Sequence, residues 1–414
     1  MMFMGPQSLR FAVLVAALLS PAAAWGQLFE EFAGAPPAEV QVTDDDVVRP
    51  AAYQPPALNQ PVTPARSPAP SRSLASRQRL ASVPNMFGDV GMTAGSVFFI
   101  DGQREQAGVF SIPGAGGSRR VKIGENNSPI PQDRMFAMYN HFHNAYEFTE
   151  GIFSSGPVTR QENIDRFTFG VEKTFLDQWW SVELRVPVVA ALDVEGESFA
   201  ARGGSWGNLA VIVKRLLYEG EYVALAAGLG LDLPTGSDFE SRVGFGELRF
   251  ENDSTHLLPY LGAVVDAGGG LFFTGYVQVD VAANGNGVFA GIPGQINQVG
   301  TYNEQNLMYF DLGAGYWIFD NPYGECITGI AAMLEFHHTT AVQDTDVVIV
   351  QAPGTSAVIT NPGNRFDVTN VSTGLNFDLG GWSNLRVAGV FPLGDAFDRR
   401  FFDAEVQVQY NQRF

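Results

Sequence analysis

The chain has 414 residues, of which 17% are charged, 12% are aromatic and 46 are glycine, and it carries a formal charge of −19. Such acidity repels a phosphate backbone and excludes nucleic acid as a partner. The one cysteine, Cys326, excludes an internal disulfide and a cysteine zinc site, and lies too far along the chain to carry a lipoprotein anchor.

Residues 1–26 read as a cleaved secretory signal. Arg10 precedes the short apolar run Phe11–Leu19, and Ala24 and Gly26 suit a cut before Gln27, with a cut after Ala24 as the alternative. The apolar run is too short for a bilayer, which needs about 20 residues. Residues 27–85 form a Pro-rich periplasmic linker, acidic first (Glu30, Glu31, Asp44–Asp46) and basic later (Arg66, Arg72, Arg77, Arg79). It has no apolar period with which to bury a core. Residues 86–132 are a candidate plug or N-terminal collar, with one strand at Val97–Ile100 and a loop at Gly114–Gly117.

From residue 133 to 414 the pattern alternates with period two, which places one residue set on each face of a strand. Twelve strands are predicted, at 135–148, 164–176, 178–190, 206–218, 221–233, 257–267, 270–283, 306–319, 325–338, 366–379, 384–393 and 398–414. Long connections (149–163, 191–205, 234–256, 284–305, 339–365) alternate with short turns, and only the hairpin turning at 394–397 breaks the rule with a short outer loop. An all-β transmembrane antiparallel up-and-down barrel puts its long loops outside and its short turns in the periplasm. Hydrocarbon tolerates no unpaired sheet edge, so the twelfth strand must return to the first.

In a barrel the apolar face meets lipid and the polar face meets the lumen. The predicted lumen-lining set is Tyr139, His141, His143, Glu147, Arg166, Glu172, Glu183, Arg185, Lys214, Asp232, Tyr276, Asp280, Asp311, Glu335, Arg386, Arg399, Asp403 and Glu405. On the last strand Phe402, Ala404, Val406, Val408, Tyr410 and Phe414 are assigned outward. Val406, Val408, Tyr410 and the terminal Phe414 resemble the C-terminal signature read by the barrel-assembly machinery.

Further segments resemble a family of Gram-negative outer-membrane barrels labelled as a putative MetA pathway of phenol degradation. They are Ser181–Val188, Gly204–Lys214, Gly228–Gly236 and Gly389–Leu393. Gly204-Ser-Trp-Gly-Asn208 has Asn where the family has Asp, and Lys122–Arg134 is similar to planctomycete members. The resemblance implies passage of small, often aromatic or apolar, molecules and supplies no catalytic residues.

Chemistry beyond passage has few candidates. His337, His338, Asp344 and Asp346 are the groups a rim hydrolase would use, and His141, His143 and Glu147 have metal-ligand types on one face. An ordinary acid-rich outer loop is the preferred reading of the first group and polar lumen lining that of the second, and no cofactor is expected. The leading function is a passive outer-membrane channel for small solutes, the alternative a non-conducting barrel that binds partners through long loops.

Overall fold

The computed structural model describes residues 79–89, 95–101, 104–112, 120–150, 158–189, 193–195, 199–203, 206–243, 246–321, 323–324, 326–352, 355–360, 364–394 and 401–414. The residues read as a signal peptide, and nearly all of those read as a linker, lie outside the described residues.

The strands in chain order begin with β1 (Gly95–Asp101), β2 (Arg104–Ile112), β3 (Arg134–Glu150), β4 (Val158–Phe175), β5 (Trp180–Val189), β6 (Asp193–Glu195) and β7 (Phe199–Gly203). Next come β8 (Leu209–Glu219), β9 (Val223–Leu233), β10 (Phe239–Val243), β11 (Gly246–Phe250), β12 (His256–Gly268), β13 (Leu271–Ala282), β14 (Asn286–Ile292) and β15 (Gln295–Tyr302). The last are β16 (Leu307–Asp320), β17 (Ile327–Ala341), β18 (Val348–Ala352), β19 (Thr355–Thr360), β20 (Asp367–Leu379), β21 (Ser383–Pro392) and β22 (Ala404–Arg413).

Twelve of them form a closed antiparallel ring, β3-β4-β5-β8-β9-β12-β13-β16-β17-β20-β21-β22 and back to β3. The closing seam runs from Ala404↔His143 to Arg413↔Arg134, so the C-terminal strand satisfies the edge that β3 would otherwise expose. Outward positions are apolar and exposed: Leu225, Leu229, Leu261, Val277, Leu312, Leu334, Phe336 and Val387 among them. Inward positions bury Arg134, Glu172, Glu183, Lys214, Asp280, Glu335 and Arg386. A grease-out, charge-in closed barrel is the arrangement of an outer-membrane protein.

The long connections depart from the expectation of loops. Those after β5, β9 and β13 continue as hairpins, joined in a six-stranded sheet of order β15-β14-β11-β10-β7-β6. The one after β17 forms β18–β19, onto which β1 adds by pairing Ser96–Phe99 with β19. The single strand predicted at 97–100 is thus half of the β1–β2 hairpin. The last connection is corrected too. β21 ends at Pro392 and β22 begins at Ala404, so this outer loop is long and the alternation has no exception.

The chain passes through the barrel twice before β3. Residues 79–89 enter at the short-turn end, where Arg79 lies 3.7 Å from Asp266 and over the Tyr222 ring, and Arg413 donates to the Ala81 carbonyl at 2.9 Å. The β1–β2 hairpin lies at the outer end, beside β19. Residues 120–133 then return, from Arg120 near Glu304 to Asp133 bonded to Thr174 at the start of β3. The two passes pair with one another: Met86 N–H donates to the Asn127 carbonyl at 3.1 Å and Asn126 N–H to the Phe87 carbonyl at 3.3 Å. They touch at Gly88, whose φ is +75°, and a Cβ there would lie 2.5 Å from the Glu125 Cα. Only glycine permits both that backbone and that approach.

The inner passes bring an apolar core into the lumen. Leu80, Val83, Phe87 and Ile130 pack against Leu216, Val264, Phe272 and Met333, while Met86 and Ile123 meet Ile212, Leu258, Tyr260 and Tyr276. Inner-face rings lie across glycines of the next strand: Phe136 over Gly170, Tyr260 over Gly228, Tyr276 over Gly262 and Phe272 over Gly315.

Candidate functional site

The inner segment is tied to the wall all round. The Glu335 carboxylate on β17 accepts the Phe87 and Gly88 amides at 2.7 and 2.9 Å. Gln407 and Gln409 on β22 donate to the Gly88 and Phe87 carbonyls, each at 2.9 Å. Arg386 on β21 donates to the Met86 carbonyl at 3.1 Å and to that of Asn85. On the opposite wall Ile123 N–H donates to Gln278 at 2.7 Å, and Lys214 reaches Asn127 and the Ser128 carbonyl at 2.8 and 2.7 Å. These bonds satisfy backbone groups that no sheet pairs, as burial requires.

Four ion clusters stack along the bore. Arg134 bridges Glu172 at 2.8 Å and Glu183 at 2.7 Å, and Lys214 also reaches Glu172 at 2.9 Å. Arg166 grips Glu125 of the return pass through both carboxylate oxygens, at 2.8 and 2.7 Å. Lys122 pairs with Asp89 and, at 3.0 Å, with Asp311, which in turn holds His337 at 2.8 Å. Arg120 pairs with Asp280 at 2.9 Å and Glu304 at 3.0 Å. Burial pushes the Glu304 carboxyl up, but Arg120, His256 and Asn286 outweigh it and hold that group well below the ordinary carboxylate range. In each cluster one partner sits on the inner segment or at the foot of β3. Removing a partner from such a buried pair typically costs about 3–5 kcal/mol.

Asp89, Asp311 and His337 are ligand types within 4.8 Å of one another. The Lys122 ammonium already bonds both carboxylates, so the fit is to an internal cation and not to a metal.

Of the sequence-predicted set, Arg166, Glu172, Glu183, Arg185, Lys214, Asp232, Tyr276, Asp280, Asp311, Glu335, Arg386 and Glu405 are buried inside. Three are corrected: Tyr139, His141 and His143 stand on the outward face of β3, where Tyr139 and His141 both bond Asp165, at 2.8 and 2.7 Å. The inward face carries Arg134, Phe136, Met138, Asn140 and Phe142 instead. On β3 rings and polar groups fall on both parities, so alternation alone does not choose the inward face. Phe402, predicted outward, is 2% exposed and packs on Phe142 in an apolar cluster with Ala145, Ile164, Val189 and Val390. Asp403 precedes β22 and accepts from Asn144 at 2.7 Å, half-buried. Arg399 and the Glu147 side chain lie outside the described residues.

The hydrolase groups are not assembled. His337 is buried against Asp311, His338 faces outward and meets Thr369 at 3.0 Å, and Asp344 binds Arg365 at 2.8 Å in an exposed loop. The His141–His143–Glu147 metal reading loses its inward face. Sequence reasoning missed Asp89, Arg120, Lys122, Glu125, Arg134, His256 and His337 as interior groups. Arg134 offered a signal: it shares parity with Phe136, and a charge at the foot of a strand fixes which face is inside.

No family model and no curated relative matches the chain. It is similar to the NanC porin, at 10% identity over 68% of this chain and 98% of that one, with a TM-score of 0.38. It is similar to the beta domain of the Bordetella autotransporter BrkA, at 12% identity over 68% and 100%, TM-score 0.39. An outer membrane channel from Pseudomonas putida F1 matches at 11% identity over 71% and 100%, TM-score 0.39.

Proposed function

We propose that this protein is an outer-membrane channel for small solutes whose two inner passes, residues 79–89 and 120–133, form a plug that must shift before solute passes. The observation that carries this reading is the chemistry of the contact between plug and wall. Glu335, Gln407, Gln409, Arg386, Lys214 and Gln278 hold the segment by hydrogen bonds, and Arg166, Asp311 and Asp280 by ion pairs, which water can replace. Without the segment the same side chains line a hydrated bore. Twelve strands enclose more space than eight, whose interior side chains can fill unaided. The resemblance to phenol-pathway barrels extends the reading to aromatic or apolar solutes. Val406, Val408, Tyr410 and Phe414 serve, in this reading, as the barrel-assembly signal.

The number of buried ties favours a second reading, a permanently filled, non-conducting barrel that presents its outer hairpins to partners. Planar-bilayer recording separates the two. The channel reading expects rare steps from the whole chain and frequent ones from Glu335→Ala or from a chain lacking residues 79–132. Absence of steps from all three, with each shown folded by heat-modifiable gel mobility, leaves the filled barrel.

A further inference from the structure

Between the plug and the β4–β5–β8 wall lies a cavity of about 20 Å³, lined by Glu125, Arg166, Thr168, Arg185, Pro187 and Asn208 among others. That is room for about one water. Its origin is a bulge in the wall. β5 and β8 pair as far as Arg185↔Ala210 and meet again only at Val188↔Trp206, so residues 186–187 face residues 207–209. Pro187 has no N–H to give the ladder, and a Cβ on Gly207 would lie 2.8 Å from its ring. Bulges of this kind re-aim side chains beside functional sites.

We propose that this cavity is a subsite for the carboxylate of a small organic acid, and that the acid binds by taking the place of Glu125 on Arg166. Three observations converge. Two of the three charged lining residues are guanidinium groups. Arg166 is 5% exposed and spends one nitrogen on Glu125 while its Nε has no partner. Thr168, 2% exposed, lines the same cavity with an unpartnered hydroxyl. A planar carboxylate matches a guanidinium edge through two parallel bonds, and Thr168 supplies a third donor. The remaining lining includes Val121, Val189 and Ala210, an apolar surface for the acid's carbon skeleton. The cavity is too small for a whole acid beside Glu125, so occupancy requires that the plug carboxylate leave. Glu125 belongs to the return pass, and its release loosens the plug at one of its ion clusters. This gating consequence rests on the channel reading; the binding site does not.

The test is calorimetric titration of the refolded full chain in micelles with benzoate, with neutral benzamide as the isosteric control. Benzoate is expected to bind about tenfold or more tightly than benzamide, the scale of one charge-assisted contact. Glu125→Gln removes the internal competitor and is expected to tighten benzoate about tenfold, while Arg166→Gln weakens it by as much. If Arg166→Gln fails to fold, Thr168→Val keeps the ion pair and is expected to weaken benzoate about fivefold or more. Equal binding of the two probes, no binding of either (a site for water only), or indifference to Glu125→Gln overturns the proposal. Benzoate binding in a barrel that never conducts, even without its plug, keeps this site and removes the channel. Conductance without benzoate binding does the reverse.

Discussion

Glu335 is the sharpest single test of how the plug is held. Its carboxylate accepts two plug amides, from Phe87 at 2.7 Å and Gly88 at 2.9 Å, in a place where Glu335 itself has no exposure. A hydrogen bond to a charged group is worth about 1.5–3 kcal/mol net, and an orphaned buried amide costs about 1–3 kcal/mol. The two bonds share one carboxylate and do not add fully, so Glu335→Ala is expected to cost about 3 kcal/mol of plug docking. That corresponds to about a 150-fold shift from docked toward released. Gln407 and Gln409 still hold the Gly88 and Phe87 carbonyls and Arg386 that of Met86, and the β3–β22 seam that closes the barrel is untouched. Amide exchange of Phe87 and Gly88, followed by mass spectrometry in micelles, is the assay. Both are expected to exchange about 100-fold faster in the variant, with barrel amides such as Val387 unchanged. Glu335→Gln, which keeps one acceptor oxygen, is expected to fall between. Exchange within about threefold of the parent would refute the assignment of Glu335 as a plug anchor.

Gly88→Ala forces a left-handed side chain against the Glu125 backbone, and the αL penalty alone is about 1–2 kcal/mol. Plug amides are expected to lose protection while the folded barrel persists on gels; retained protection refutes the close crossing. Gly170→Ala places a methyl 2.1 Å from the Phe136 ring, and urea unfolding is expected to register a loss of about 1–3 kcal/mol. Leu312 is 62% exposed on the outward belt, and Leu312→Arg is expected to cost about 2–4 kcal/mol in vesicles; no change places β16 away from lipid. Glu304 titrates well below its ordinary value of 4.5, so its stabilisation is complete above that pH and is lost as pH falls toward the lowered value. Glu304→Gln is therefore expected to flatten the acid limb of the stability curve, and an unchanged limb would dissociate Glu304 from Arg120.

The barrel was legible from the chain because strand alternation and turn spacing are local. Trp180 to Val189 alternates by two, and Gly268–Gly270 and Gly380–Gly381 supply left-handed turns, whatever surrounds them. Closure followed from hydrocarbon, which leaves no edge unpaired. The inward groups on β4, β5, β8 and β17 were readable too, because there the polar and apolar faces differ plainly. On β3 both faces mix rings with polar groups, so parity depends on what lies inside.

That interior was decided by tertiary structure alone. Residues 79–89 and 120–133 have no strand period, yet their backbone groups find Glu335, Gln278, Gln407, Gln409 and Arg386 across sequence separations of 155 to 322 residues. Asp89 and Lys122, ordinary loop residues in sequence, become an ion pair only when two passes of chain share one bore. Periodicity determines which residues share a face; which face is inside, and what fills it, depends on partners distant in sequence that only folding brings within hydrogen-bond reach.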